Sequence, residues 1–284
     1  MSETRYIRLK ERSPELNREI TPPQQFIERA DETLESGPFL MRTDNNGFIV
    51  TGNDMDHENS IPIVLTGDSF VESSFCHEGQ RFIDRAERLM PGYKLLNGGY
   101  SGATTLQLFN VMLCKVYPLF GEGGNLVFFV GQSDADILNR QGSYWTNERL
   151  WSPIVPNCRP ASSNVPKSVE AVEKMVEIVI QTSRILGINL LMAISPFRDA
   201  DFKEDLVYRN LFRRDFELFQ KRMRDRYSIR ETIVRKCDEY KCNYVDFQEL
   251  TNGEPSWFYD DLHLNRKGHE NFSRLLAGEL RKFF

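Results

Sequence analysis

"IPIVLTGDSFVESSF", residues 61–75, runs through an apolar segment into Gly67-Asp68-Ser69 and then resumes with apolar residues at helix-like spacing. Four more short apolar runs follow it: YKLLN (93–97), NLVFFVG (125–131), INLLMAIS (188–195) and NYVDF (243–247). They are nearly continuous rather than alternating, the pattern of strands covered on both faces. Helical spacing fills the gaps between them. Val169, Val172, Val176, Val179 and Leu186 mark one face of a helix near 167–186, and Phe272, Leu276, Leu280 and Phe283 mark one near 266–283. Further helices are expected over 78–90, 104–117 and 208–240, the last in one piece or two. Such repetition predicts an α/β fold, a parallel sheet with helices on both sides joined by right-handed crossovers.

Residues 1–60 differ in character and are expected to form an N-terminal extension, a helix plus a hairpin, packed on a core of 61–284. Thr21-Pro22 opens the helix, which stops at Gly37, and Asn46-Gly47 is the hairpin signal. Residues 141–166, "QGSYWTNERLWSPIVPNCRPASSNVP", hold four prolines and no sustained period. A segment this long without a period reads as a lid-like insertion, with Tyr144, Trp145 and Trp151 either forming its core or facing substrate.

Composition excludes several classes of function. A chain of 284 residues with 40% hydrophobic residues and no Gly/Ser/Pro linker suits one large α/β unit with insertions. The net charge of −5 comes from 36 basic and 41 acidic residues spread along the chain, which leaves no basic stripe for nucleic acid. The opening "MSETRYIRLKERSPELNREI" is charged every few residues, unlike a signal peptide or membrane span, and no later run approaches 18 apolar residues. Five cysteines at irregular spacings form no zinc pattern. Free thiols in a reducing cytoplasm, no membrane and no metal site are the expectation. Nothing in the sequence speaks to oligomeric state.

Polar chemistry gathers where ligands bind in an open parallel sheet, at the carboxyl ends of the strands. These ends carry Gly67-Asp68-Ser69, "NGGYSGATT" (97–105), "GQSDAD" (131–136) and "WFYDDLHLN" (257–265). A serine hydroxyl is inert at neutral pH without a base, and the base needs an acid to hold its tautomer. Taken alone, Ser69 reads as a helix cap. Of the four histidines, His57, His77, His263 and His269, only His263 follows the last strand on the same rim, and Asp260 sits three residues before it. The turn at Ser101-Gly102 offers unobstructed backbone N–H groups for a developing oxyanion. Asp68, Asn97 and Asp134 read as buried hydrogen-bonding groups.

In this order, Gly67-Asp68-Ser69, Ser101-Gly102, Gly131-x-x-Asp134 and Asp260-x-x-His263 resemble the four blocks of the SGNH, or GDSL, hydrolase superfamily, over roughly residues 60–284. The resemblance implies a three-layer α/β/α flavodoxin-like fold with five parallel strands in order 2-1-3-4-5. It implies esterase, lipase, thioesterase, deacetylase or O-acyltransferase chemistry without metal or organic cofactor. Carried over, Ser69 is the nucleophile and first oxyanion donor, Gly102 the second donor, and His263 and Asp260 complete the triad. Block three departs from the family's Gly-x-Asn-Asp, because Ser133 stands at the asparagine position of the third oxyanion donor. Gln132 is a substitute donor or substrate contact. Tyr144, Trp145, Trp151 and Arg198 complete the candidate substrate contacts, Arg198 for an anionic one or as a solvated side chain. The expected substrate is an O-acyl ester of a sugar or other small polar molecule. A ligand-binding protein without turnover is the other class, motivated by Ser133.

Overall fold

The computed structural model describes residues 4–53, 59–138, 140–156, 162, 164–165 and 169–284; His57, Cys158 and parts of the 141–166 segment lie outside them. Short antiparallel pairings come first along the chain. Strand β1 (Tyr6–Ile7) pairs with Ile154–Val155, and β2 (Asn17–Ile20) pairs with β3 (Phe39–Arg42). Between β2 and β3 the expected helix shrinks to α1 (Gln24–Ile27), none of it buried. The stretch lacks an apolar stripe, and its charges at Arg29, Asp31, Glu32 and Glu35 give a longer helix nothing to pack with. Asn46-Gly47 does form a tight turn, with the Gly47 N–H donating to the Asp44 carbonyl at 3.0 Å. Its hairpin is a single bridge, Thr43 to Ile49, because the ladder partner of β3 is β2. The Ile49 N–H then donates to the Asn97 carbonyl at 2.8 Å, which fastens this segment to the main sheet. The fully buried Arg81 adds to the fastening by donating to the carbonyls of Leu40 and Val50.

The main sheet comprises β4 (Ile61–Gly67), β5 (Tyr93–Gly99), β6 (Asn125–Val130), β8 (Asn189–Ile194) and β9 (Tyr244–Asp246), all parallel, with β7 being Ile154–Val155. Its spatial order is β5-β4-β6-β8-β9, which is 2-1-3-4-5 when only these five are counted. Alternation along β6 divides the core. Leu126, Phe128 and Val130 pack to one side, against α4 (Thr105–Val111), α7 (Val169–Ile185) and α9 (Phe216–Tyr240). Val127 and Phe129 pack to the other, against α2 (Ser69–Glu72), α3 (Phe82–Leu89) and α11 (Arg266–Phe283). Each face removes a continuous apolar surface from water, the dominant favourable contribution to folding.

Two expected helices are interrupted. The first opens with a Thr104–Gln107 capping box, passes through a π-helical turn at Met112–Val116 and ends as α5 (Tyr117–Phe120). Pro118 has no N–H to offer the Cys114 carbonyl, so the regular ladder breaks there. The second splits into α8 (Leu206–Leu211) and α9 at Arg213 and Arg214, both left-handed, after which Asp215 caps α9. Phe202, Tyr208, Phe212 and Phe219 cluster around the break. Short helices α6 (Ser133–Ile137) and α10 (Phe247–Thr251) follow β6 and β9 directly. Among the described residues, no helix is long and apolar enough to cross a membrane.

His269 joins α11 to α3: its buried Nδ1 accepts the Phe82 N–H at 3.2 Å, and its ring stacks on Phe82. Burial, with the charges of Arg81, Arg85 and His263, pushes the imidazole down to about 3. The unfolded chain then binds a proton that the folded chain refuses between about pH 6.5 and 3, so this contribution to stability is complete above 6.5 and is lost on acidification. The slope from this one group is about 1.4 kcal/mol per pH unit. In His269→Asn, an amide oxygen takes the place of Nδ1, and the fall in chemical-denaturation stability between pH 6.5 and 4.5 is expected to be shallower than in wild type. An unchanged slope would show that His269 is not the titrating group.

Candidate active site

At the end of β4, Asp68 caps α2 by accepting the Phe70 N–H at 3.1 Å. The turn depends on Gly67, where a Cβ would lie 2.2 Å from Val71 Cγ2, so only glycine lets α2 fold back against the strand. Ser69 thus leaves the sheet at its rim. Its Oγ lies 2.8 Å from His263 Nε2, a residue 194 positions away.

His263 belongs to a loop that orients itself. Asp260 Oδ1 accepts the N–H groups of Leu262 (2.8 Å) and His263 (2.6 Å), and Oδ2 lies 2.7 Å from His263 Nδ1. This arrangement keeps a proton on Nδ1 and turns the Nε2 lone pair toward Ser69. The Tyr259 ring stacks on the imidazole at 5.6 Å between centroids. Burial opposes a charge on His263, but Asp260, through its charge and hydrogen bond, and the charges of Asp261 and Asp68 outweigh it and raise the imidazole to about 9. Burial also opposes the Asp260 charge, and there His263 and the two N–H groups prevail and hold the carboxyl below its usual range.

On the opposite side, Gly102 takes a left-handed φ of 70° in the loop after β5. The N–H groups of Ser69 and Gly102 have no acceptor among the described residues, and both residues line the cavity around Ser69. Glu72, fully buried, holds this loop by accepting the Ser101 N–H at 3.2 Å and the Ser101 hydroxyl; it also accepts the Ser74 hydroxyl at 2.7 Å. Arg12 reaches in from the N-terminal segment to pair with Glu72, its Nε at 2.6 Å, and lies over the Tyr100 ring.

Ser133 does not stand as expected. Its hydroxyl donates to Asp68 Oδ2 at 3.1 Å and its N–H donates to the same oxygen at 3.0 Å. Burial pushes the Asp68 carboxyl up while these donors act to lower it, and Ser133 spends its one hydroxyl proton there rather than on the cleft. Asp134 accepts the Thr105 N–H at 2.9 Å, and Asn97 Oδ1 accepts the Gly99 N–H at 3.0 Å, both inside the protein.

Ser69 opens on a cavity of about 620 Å³. Gln132 lines it with its Nε2 tied to the Ser195 carbonyl at 3.3 Å, and Trp151 lines it beneath the Arg140 guanidinium. The other candidate contacts do not reach it. Tyr144 is buried in the core and Trp145 packs edge-on against it, because the start of the 141–166 segment folds inward behind α4. Arg198 is a buried tie: it pairs with Asp205 and donates to the carbonyls of Pro255 and Phe258 at 2.9 Å. The sequence carried no signal for Arg12, Glu72, Tyr259 or the Asp261–Arg226 pair, since each matters only through a partner distant in the chain or through a ring stack.

No family model and no curated protein matches the chain. Solved structures do match. A GDSL-like lipase from Bacteroides thetaiotaomicron aligns at 13% identity and TM-score 0.52, over 79% of this chain and 89% of that one. A catalytic mutant of an acetylxylan esterase from Geobacillus stearothermophilus aligns at 14% identity and TM-score 0.51, over 79% and 96%. An alpha/beta hydrolase from the metagenome of Lake Arreo, Spain, aligns at 17% identity and TM-score 0.50, over 77% and 94%. The chain has the SGNH hydrolase fold. The side chain of Ser133, placed by the sequence at the family's asparagine position, here braces the Ser69 turn.

Two outcomes follow for any acyl ester turned over at Ser69. The rising limb of kcat/KM is expected above the usual imidazole value of 6.5, displaced toward about 9, because the base must be neutral to act. Asp260→Asn should return the limb toward 6.5 or below and reduce the rate by about 10⁴, the loss seen in the serine-protease precedent; a limb that ignores Asp260 would disprove the coupling. Ser133→Ala should cost about 1 kcal/mol of stability, the worth of one hydrogen bond. A rate loss of about 10²–10³ at unchanged stability would instead return its hydroxyl to the role of oxyanion donor.

Proposed function

We propose that this protein is a serine ester hydrolase that cleaves an O-acyl ester through an acyl-enzyme on Ser69. The reading rests on the unbroken relay from Ser69 Oγ through His263 to Asp260, at 2.8 and 2.7 Å, on the floor of an open cavity. His263 Nε2 takes the Ser69 proton as Oγ attacks the ester carbonyl. The oxyanion is met by the N–H groups of Ser69 and Gly102. His263 then returns the proton to the departing alkoxide, and water repeats the sequence to release the acid. Asp260 stays ionised throughout and stabilises the imidazolium. In this reading, residues 1–60 are an extension that completes one wall of the site, and the Trp151 end of the 141–166 insertion forms part of another.

Intact-protein mass after incubation with a fluorophosphonate tests the assignment. One adduct on wild type and none on a folded Ser69→Ala variant is the expected result. Labelling that survives in Ser69→Ala would place the nucleophile elsewhere. Free acid as the product in the presence of excess polyol acceptor would mark hydrolysis; an acylated polyol would mark transfer.

A further inference from the structure

The cavity around Ser69 carries a charge excess that ester cleavage alone does not use. The protein is acidic overall, at −5, yet Arg12, Arg18, Arg29, Arg222 and Arg226 line this cavity against Asp136, Asp260 and Asp261. Most of these charges are satisfied. Arg222 pairs with Asp136, Arg226 with Asp261, Asp260 with His263, and Arg12 with the buried Glu72. Arg18 and Arg29 remain, and neither side chain has an ion pair or hydrogen bond among the described residues.

Local geometry aims both arginines into the same space. Arg18 and Ile20 are two residues apart on β2 and so share one face of the strand, and both line the cavity. Arg29 follows α1 in a turn closed by its N–H donating to the Phe26 carbonyl at 3.1 Å, and Phe26 and Arg29 also line it together. Each arginine thus lines the cavity together with an apolar neighbour, and Leu150 and Leu218 line it as well. Low-dielectric walls around unbalanced positive charge focus the field and concentrate anions. A guanidinium's planar fork suits carboxylate and phosphate oxygens.

We infer that the ester cleaved here is anionic: its non-reacting part carries a carboxylate or phosphate held by Arg18 and Arg29. This inference rests on the ester-hydrolase reading, and it differs from a neutral sugar or polyol ester. Three matched aryl acetates test it: 4-acetoxybenzoate, 4-acetoxyphenyl phosphate and the neutral 4-acetoxybenzamide. Wild type should prefer at least one anion over the amide by about tenfold in kcat/KM, mainly through KM, the combined effect of two solvent-accessible ion pairs. Whichever anion is preferred identifies the group. The preference should collapse toward unity in the double variant Arg18→Gln/Arg29→Gln, and at high salt. Turnover of all three esters without preference, or a preference indifferent to the double substitution, overturns the inference while leaving the esterase reading intact. Binding of the same compounds to Ser69→Ala, measured by calorimetry, separates the other failures. Arginine-dependent binding of the anion with no turnover by wild type would remove the esterase and keep the anion site; absence of both would remove both.

Discussion

One buried carboxylate holds the site together. Asp68 takes the Phe70 N–H with one oxygen and the Ser133 N–H and hydroxyl with the other, so the ends of two neighbouring strands, β4 and β6, are joined at a single residue. A carboxyl group at that depth without partners would be costly, and although burial raises its pKa, the donors from Phe70 and Ser133 act against that rise. The position of Ser69 follows from this junction, as does the employment of Ser133. The hydroxyl of Ser133 is committed to this brace, and the unpaired N–H groups that face the cavity are those of Ser69 and Gly102 among the described residues.

The two halves of the site are secured in opposite ways. The half around His263 is local: within residues 258–264, Asp260 binds its own loop and its own histidine, and Tyr259 stacks on the ring. The half around Gly102 is assembled from afar, with Glu72 of α2 gripping Ser101 after β5 and Arg12 pairing with Glu72 from the N-terminal segment. A short self-bonded loop restrains the imidazole against rotation. Backbone donors need a fixed loop, and buried charge pairing provides that one.

What could be read from the sequence was whatever lay within one element. Five apolar runs and the helices between them were legible because burial on both faces leaves an unmistakable local pattern, and the polar ends of those runs drew attention to Ser69, Asp260 and His263, which the fold brings into contact. Misreadings arose where a side chain's direction was set by a distant partner. Arg198 resembled a free cation until Asp205 and two carbonyls enclosed it. Tyr144 and Trp145 share a proline-rich stretch with Trp151, and no local period tells the inward-facing rings from the cleft-facing one. The helix expected after Thr21-Pro22 failed for the converse reason, since start and stop signals without an apolar face do not sustain one.

The contact between Arg12 and Glu72 bears on where the functional unit ends. The four recognisable blocks fall between residues 67 and 263, and a chain trimmed to that neighbourhood would retain Ser69, Asp260 and His263. It would also leave Glu72, fully buried here, with only hydroxyl and N–H partners and no cation beside it. The Gly102 loop rests on that carboxylate. The recognisable blocks and the contacts that hold the Gly102 loop therefore do not share one boundary, since Arg12 lies 55 residues before the first block.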